Sequence, residues 1–150
     1  MVPVIYITDI EEVISIHGRT VEISGGGADG VLDTGALEAA LEHIQNDDYY
    51  PTLIEKLTHL FFAANKNHCF QDGNKRIAIS LGSMFLLKNG YLEAATRFLY
   101  KMETISYHVA ANNISKEFLG RIIDSIVYQE DYSEEIKLEL LECISGDDSN

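Results

Sequence analysis

Cysteine is scarce in this sequence. Its 150 residues hold only Cys69 and Cys143, too few for a disulfide framework, so a reducing, cytoplasmic setting is expected. Basic residues are scarce too: 11 Lys and Arg stand against 24 Asp and Glu, giving a formal net charge of −13. Nucleic-acid binders usually present a basic face, so direct contact with DNA or RNA is not expected. No run of about 18 apolar residues occurs, so no membrane partner is expected either. The N-terminus, "MVPVIYITDIEE", has neither a basic stretch nor a long apolar one and does not read as a secretory signal. Internal repeats and long linkers are also missing, and one domain is the natural count for this length.

What is present is a chain with 46% hydrophobic residues, enough for a sizeable core. Residues 2–7 are apolar and partly β-branched, which suits a short strand. Thr8 with Glu11 reads as a capping box opening a helix over about residues 9–17. A glycine-bearing loop follows to Leu32, with a short extended piece at residues 20–24. Asp33 or Thr34 caps a second helix to about Gln45. Thr52 and Glu55 form another capping box, and Leu53, Leu57, Leu60, Phe61 and Ala64 make the apolar stripe of a third helix. A fourth begins near Lys75; Ile77, Leu81, Met84 and Phe85 share one face, Ile79, Leu86 and Leu87 widen it, and Gly90 suits the residue just past its end. Further helices are expected over about residues 94–111, from Lys116 with Ser115 as cap to about residue 127, and from Ser133 onward. The expected fold is therefore all-α, with six to seven helices and a short N-terminal strand or flap. The domain is expected over residues 1–127. Residues 128–150, "QEDYSEEIKLELLECISGDDSN" from Gln129 on, form an acidic helix and tail, either part of that domain or an extension, facing water or a basic protein.

One motif is a decoy. "GGGADG", residues 25–30, matches the glycine pattern of dinucleotide sites. Such a site needs a second parallel strand after its helix, and "NDDYYPT" is not one. A loop using the conformational freedom of glycine is the better account.

Residues 68–76, "HCFQDGNKR", hold the chemistry. They join the end of one expected helix to the start of the next. Backbone N–H groups at a helix start lack internal partners and lie at the positive end of the dipole. Gly73 permits close approach, Asn74 can donate an amide N–H, and Lys75 and Arg76 add two cations. Together these suit a phosphate. Cations at a helix start oppose the dipole, at about 0.3–1 kcal/mol each, which hints at an expected anion. Asp72 makes sense beside phosphate if it holds Mg²⁺. His68 is either a general base or a core histidine continuing the apolar stripe. Asp72 with Gly73 also makes an ordinary turn pair. Phe70 points inward on this reading. Zinc has no ligand spacing here, and His17, His43, His59 and His108 read as scattered surface or core residues.

The nine residues resemble the signature of the Fic/Doc superfamily, His-x-Phe-x-Asp/Glu-Gly/Ala-Asn-x-Arg, and Lys75 before Arg76 resembles its Doc, or death-on-curing, branch. "GVLDTGALEAAL" (residues 30–41), "YPTLIEKLTHLFFAANKNH" (50–68) and "LLKNGY" (86–91) are similar to family segments as well, so the resemblance covers about residues 4–127. It implies a compact helical fold and a toxin that transfers a nucleotide-borne group to a protein hydroxyl. His68 would be the base, Asp72 the Mg²⁺ ligand, Gly73, Asn74, Lys75 and Arg76 the anion hole, and Phe70 the structural anchor. ATP and Mg²⁺ are the implied cofactors, elongation factor Tu the default target, and the loop of residues 20–32 the target-docking flap.

Departures from the family pattern discriminate between activities. AMP-transferring Fic enzymes usually read Gly-Asn-Gly-Arg-x-x-Arg; here Lys75 stands for the second glycine and Ile79 for the second arginine. That change favours the reversed nucleotide of Doc and γ-phosphate transfer, hence a protein kinase that blocks translation. AMP transfer, or a non-catalytic binding module, are the alternatives. Cys69 replaces a common proline and Leu32 a common arginine. The inhibitory pattern Ser/Thr-x-x-x-Glu-Gly/Asn is approached at Thr8–Glu12 and Thr34–Glu38 but completed at neither, so the resemblance implies a separate antitoxin.

Overall fold

The computed structural model describes residues 3–23, 34–66 and 74–148. Seven helices occupy them: α1 (Ile10–Ile23), α2 (Gly35–His43), α3 (Leu53–Lys66), α4 (Asn74–Lys88), α5 (Leu92–Ala110), α6 (Lys116–Tyr128) and α7 (Glu134–Asp148). The fold is an all-α bundle, and no described helix is long and apolar enough to cross a membrane.

Local chemistry sets most helix starts. The Glu55 N–H donates to Thr52 Oγ1 at 3.1 Å, the Phe118 N–H to Ser115 Oγ at 3.1 Å, and the Ile136 N–H to Ser133 Oγ at 3.2 Å. Each side chain satisfies one of the orphan donors of its helix. Gly90, at φ 85°, ends α4 in the left-handed region that glycine enters at low cost.

Helices α3 and α4 form the centre. α4 packs on α1, α3 and α5, while α3 also meets α2, α5 and α6. Phe61 of α3 and Phe98 of α5 meet edge to face with centroids 5.3 Å apart, both fully buried. Gly82 lets α5 approach: a Cβ there would collide with Cε1 and Cζ of Phe98, the latter at 2.6 Å.

Three boundaries differ from the sequence reading. Asp9, not Thr8, caps α1, through Oδ1 accepting from the Glu11 N–H at 2.9 Å. α1 also continues through Gly18 to Ile23, where a loop and an extended piece were expected. A Cβ at Gly18 would meet nothing within 4 Å, so this glycine costs helix propensity and serves no close packing. Finally, the expected strand over residues 2–7 is not formed: residues 3–9 run without ladder or helix. A strand needs a partner, and here the partner is a side chain. The Ile5 N–H donates to Asn89 Oδ1 at 2.8 Å, and Asn89 Nδ2 donates to the Ile5 carbonyl at 2.9 Å. Ile7 then enters the core. The glycine motif of residues 25–30 lies outside the described residues, as does Leu32.

The acidic C-terminal helix packs back on the bundle. Ile136 is buried, and Arg121 pairs with Glu139 at 2.6 Å and with Glu135 at 3.4 Å. Ahead of α7, Asp131 lies 3.0 Å from Lys101 and 3.3 Å from Lys137. Hydrogen bonds from Lys101, the Tyr132 N–H and Lys137 hold its carboxyl down to about 2.

Candidate active site

α3 ends at Lys66 and α4 begins at Asn74. The junction carrying "HCFQDGNKR" therefore lies between them, as its sequence implies. His68, Cys69, Phe70, Asp72 and Gly73 lie outside the described residues; Asn74, Lys75 and Arg76 open α4.

Both edges of this junction are held to the bundle. Asn65 is almost fully buried, and its Nδ2 donates to the Phe61 carbonyl at 2.9 Å. That bond turns its Oδ1 toward Ser106 on α5, whose hydroxyl donates to it. The same hydroxyl oxygen lies 3.3 Å from the carbonyl oxygen of Lys75, in the first turn of α4. One residue on, Lys66 donates to Asn112 Oδ1 in the α5–α6 turn, where Asn112 sits at φ 66°. Asparagine tolerates this left-handed conformation better than most residues. The last turn of α3 and the first turn of α4 thus share one anchoring helix.

The first turn of α4 is electrostatically distinct among the described helices. α1, α2, α3, α5, α6 and α7 each carry Glu there; α4 carries none. Lys75 is exposed and Arg76 half-buried in that turn. Cations at the positive end of a dipole are unfavourable unless an anion joins them. A helix start of this charge is of the kind at which anions bind. One turn on, Ile79 packs against the core, adding apolar contact and no third cation.

Among the described residues no group of three His, Cys, Asp or Glu could hold a metal. The expected ligand, Asp72, lies outside them. Of the other histidines, His17 is buried, His43 is exposed, and His108, itself buried, accepts from the half-buried Asn113 Nδ2 at 3.0 Å. His59 belongs to a cluster that sequence reasoning missed. Lys116 Nζ donates to its Nδ1 at 2.8 Å, and Tyr50 stacks on it with centroids 4.6 Å apart. Burial, then the nearby Lys116 charge and His43, lower its pKa to about 4. Tyr50 and Lys116, with Thr58 and Gly120 among others, also line a cavity of about 370 Å³.

Asn65 and Ser106 were missed too. The available signal was a polar residue at a core position: Asn65 follows Ala64 on the inner face of α3, and Ser106 follows Ile105 in an otherwise apolar stripe with Met102 and Val109.

Known proteins place this geometry in context. The Fic/DOC family model matches residues 6–86. A curated protein of Escherichia phage P1, "Protein kinase doc", is 33% identical over 87 residues, covering 53% of this chain and 65% of that protein. "Toxin Doc" of Mycolicibacterium smegmatis is 35% identical over 95 residues, covering 61% of this chain and 73% of that protein. The match thus spans somewhat less than two thirds of the phage protein's length.

Proposed function

Because this chain belongs to the Fic/DOC family, we propose that it is a Doc-like toxin that transfers the γ-phosphate of ATP to a hydroxyl of a target protein. The observation that carries this reading is the acid-free, doubly cationic first turn of α4, which forms the end of the family signature. The names of the two relatives support it, one being called a kinase and the other a toxin.

In the proposed reaction, the backbone amide of Gly73 and the amides and side chains of Asn74, Lys75 and Arg76 cradle the phosphates. His68 accepts the proton of the target hydroxyl as its oxygen attacks the γ-phosphorus. The bond to the β–γ bridging oxygen breaks and ADP leaves. Asp72 is the proposed Mg²⁺ ligand; the ion, when bound, spreads charge over the phosphate oxygens. Phe70 anchors the segment. The chain's contribution is positioning and electrostatics, which is where phosphoryl transfer draws its catalysis, and no covalent enzyme intermediate is required.

Lys75 and Ile79 favour phosphate over AMP. A bulky cation occupies the position of the second glycine, and an apolar side chain turned to the core occupies that of the second arginine. The default target is elongation factor Tu, in the cytoplasm, and a separate antitoxin is the proposed inhibitor.

The test is direct. The chain is incubated with Mg²⁺, elongation factor Tu and ATP labelled at either the γ or the α phosphate. Label from γ, lost in His68→Ala, is expected; label from α alone rejects the kinase reading in favour of AMP transfer. Intact mass separates the two, at about 80 Da for phosphate and about 329 Da for AMP.

A further inference from the structure

The Ser106 hydroxyl faces away from its own helix. Thr96, on the same helix, bonds back to the Leu92 carbonyl at 3.2 Å, the common use of such a side chain. Ser106, fully buried, instead meets Asn65 on α3 and the Lys75 carbonyl on α4. It has one proton for two acceptors, and those acceptors flank the segment of residues 67–73. Asn65 stands three residues before His68, and Lys75 three after Asp72. A single oxygen atom therefore bridges the two ends of a stretch of chain that contains His68 and Asp72, the proposed base and metal ligand.

We propose that Ser106, oriented by Asn65, is a positioning residue for group transfer: its hydroxyl sets the separation between the end of α3 and the start of α4. The proposal rests on the reading of this junction as the transfer site. Lys75 contributes its carbonyl to the clamp, while its side chain and the neighbouring N–H groups belong to the proposed phosphate cradle. Moving the first turn of α4 would thus move the cradle relative to the end of α3, which His68 follows by two residues in the sequence. A misplacement of about 1 Å can lower a rate by about 100-fold without touching any reacting group.

The experiment compares Ser106→Ala, Ser106→Thr and a control, Ser83→Ala, in the full chain. Ser83 is the right control because its hydroxyl donates to the Ala95 carbonyl at 3.4 Å, also joining α4 to α5, but farther along α4. With γ-labelled ATP and elongation factor Tu, Ser106→Ala is expected to lower kcat about 10- to 100-fold while KM for ATP changes less. Ser106→Thr, which keeps the hydroxyl, restores most of kcat, and Ser83→Ala keeps it. Equal kcat in Ser106→Ala and Ser83→Ala overturns the proposal. If the parent chain transfers neither phosphate nor AMP, the functional reading fails and the clamp is judged by amide hydrogen exchange. Exchange at residues 77–79 should then quicken about tenfold in Ser106→Ala and not in Ser83→Ala. No difference between the two variants overturns the clamp.

Discussion

Lys116 donates to His59 Nδ1 at 2.8 Å, so a half-buried ammonium rests on an imidazole. Burial lowers the pKa of both groups, and His59 falls from 6.5 to about 4. Its folded value lies below its unfolded one. Between pH 6.5 and about 4 the unfolded chain therefore binds a proton at this residue that the folded chain refuses. The contribution is fully present above pH 6.5 and is lost as pH falls through the window. Denaturant midpoints measured from pH 7 to pH 4.5 should fall more steeply in the parent than in His59→Phe. In Lys116→Met, an NMR titration should move His59 upward toward its ordinary value. An unmoved titration would mean that Lys116 contributes nothing to the shift.

Lys56 is buried, and its ammonium donates to the Ile44 carbonyl and to Asp47, both at 2.7 Å. Burial works to lower its pKa, but hydrogen bonds with Asp47 and Tyr6 outweigh that and hold it raised. Asp47 is largely exposed, so losing it costs little, whereas the Ile44 carbonyl belongs to a fully buried residue. Lys56→Met should cost about 1–3 kcal/mol through the stranded carbonyl. Asp47→Ala should cost less than about 1 kcal/mol. Urea unfolding of the two variants decides the order.

At Gly82, alanine would gain about 1 kcal/mol in helix propensity. Its Cβ would nevertheless collide with the Phe98 ring, which Phe61 holds edge-on in the core. Gly82→Ala should therefore destabilise by about 1–3 kcal/mol net. A melting temperature equal to or above the parent's would show that the ring yields.

Lys75 and Ile79 carry the proposed choice of transferred group. The double variant Lys75→Gly, Ile79→Arg should raise the ratio of α-label to γ-label transferred to the target. Ile79 packs against the core, so some stability loss is expected as well, and the ratio is the informative readout because it is independent of the folded fraction. An unchanged ratio would mean that nucleotide orientation is set elsewhere.

Much of this molecule is legible locally. Thr52, Ser115 and Ser133 cap their helices because each bond spans three residues, and the apolar stripe of α3 turns inward because it repeats at helical spacing. The placement of the signature at a helix junction is legible for the same reason. Gly18 misled because a glycine inside a helix and a glycine after one look alike, and the choice depends on what α1 packs against. Long-range partners leave no local trace. Ser106 meets residues 41 and 31 positions away, and Lys116 meets one 57 positions away. A polar residue among apolar neighbours announces that it needs a partner without saying which.

Asn89 has a consequence for how this chain meets other chains. Its side-chain amide has one oxygen and two hydrogens; the oxygen accepts from the Ile5 N–H, and the hydrogens go to the carbonyls of Ile5 and Phe85. An extended apolar segment normally offers its backbone as a template on which a second molecule can add a strand. Here Ile5 finds both backbone partners within its own molecule, on a carboxamide that has no further hydrogen to pass on. The side chain acts as a strand one rung long, and pairing ends where it begins. Replacing Asn89 with leucine would unpair Ile5 and free that rung for self-association.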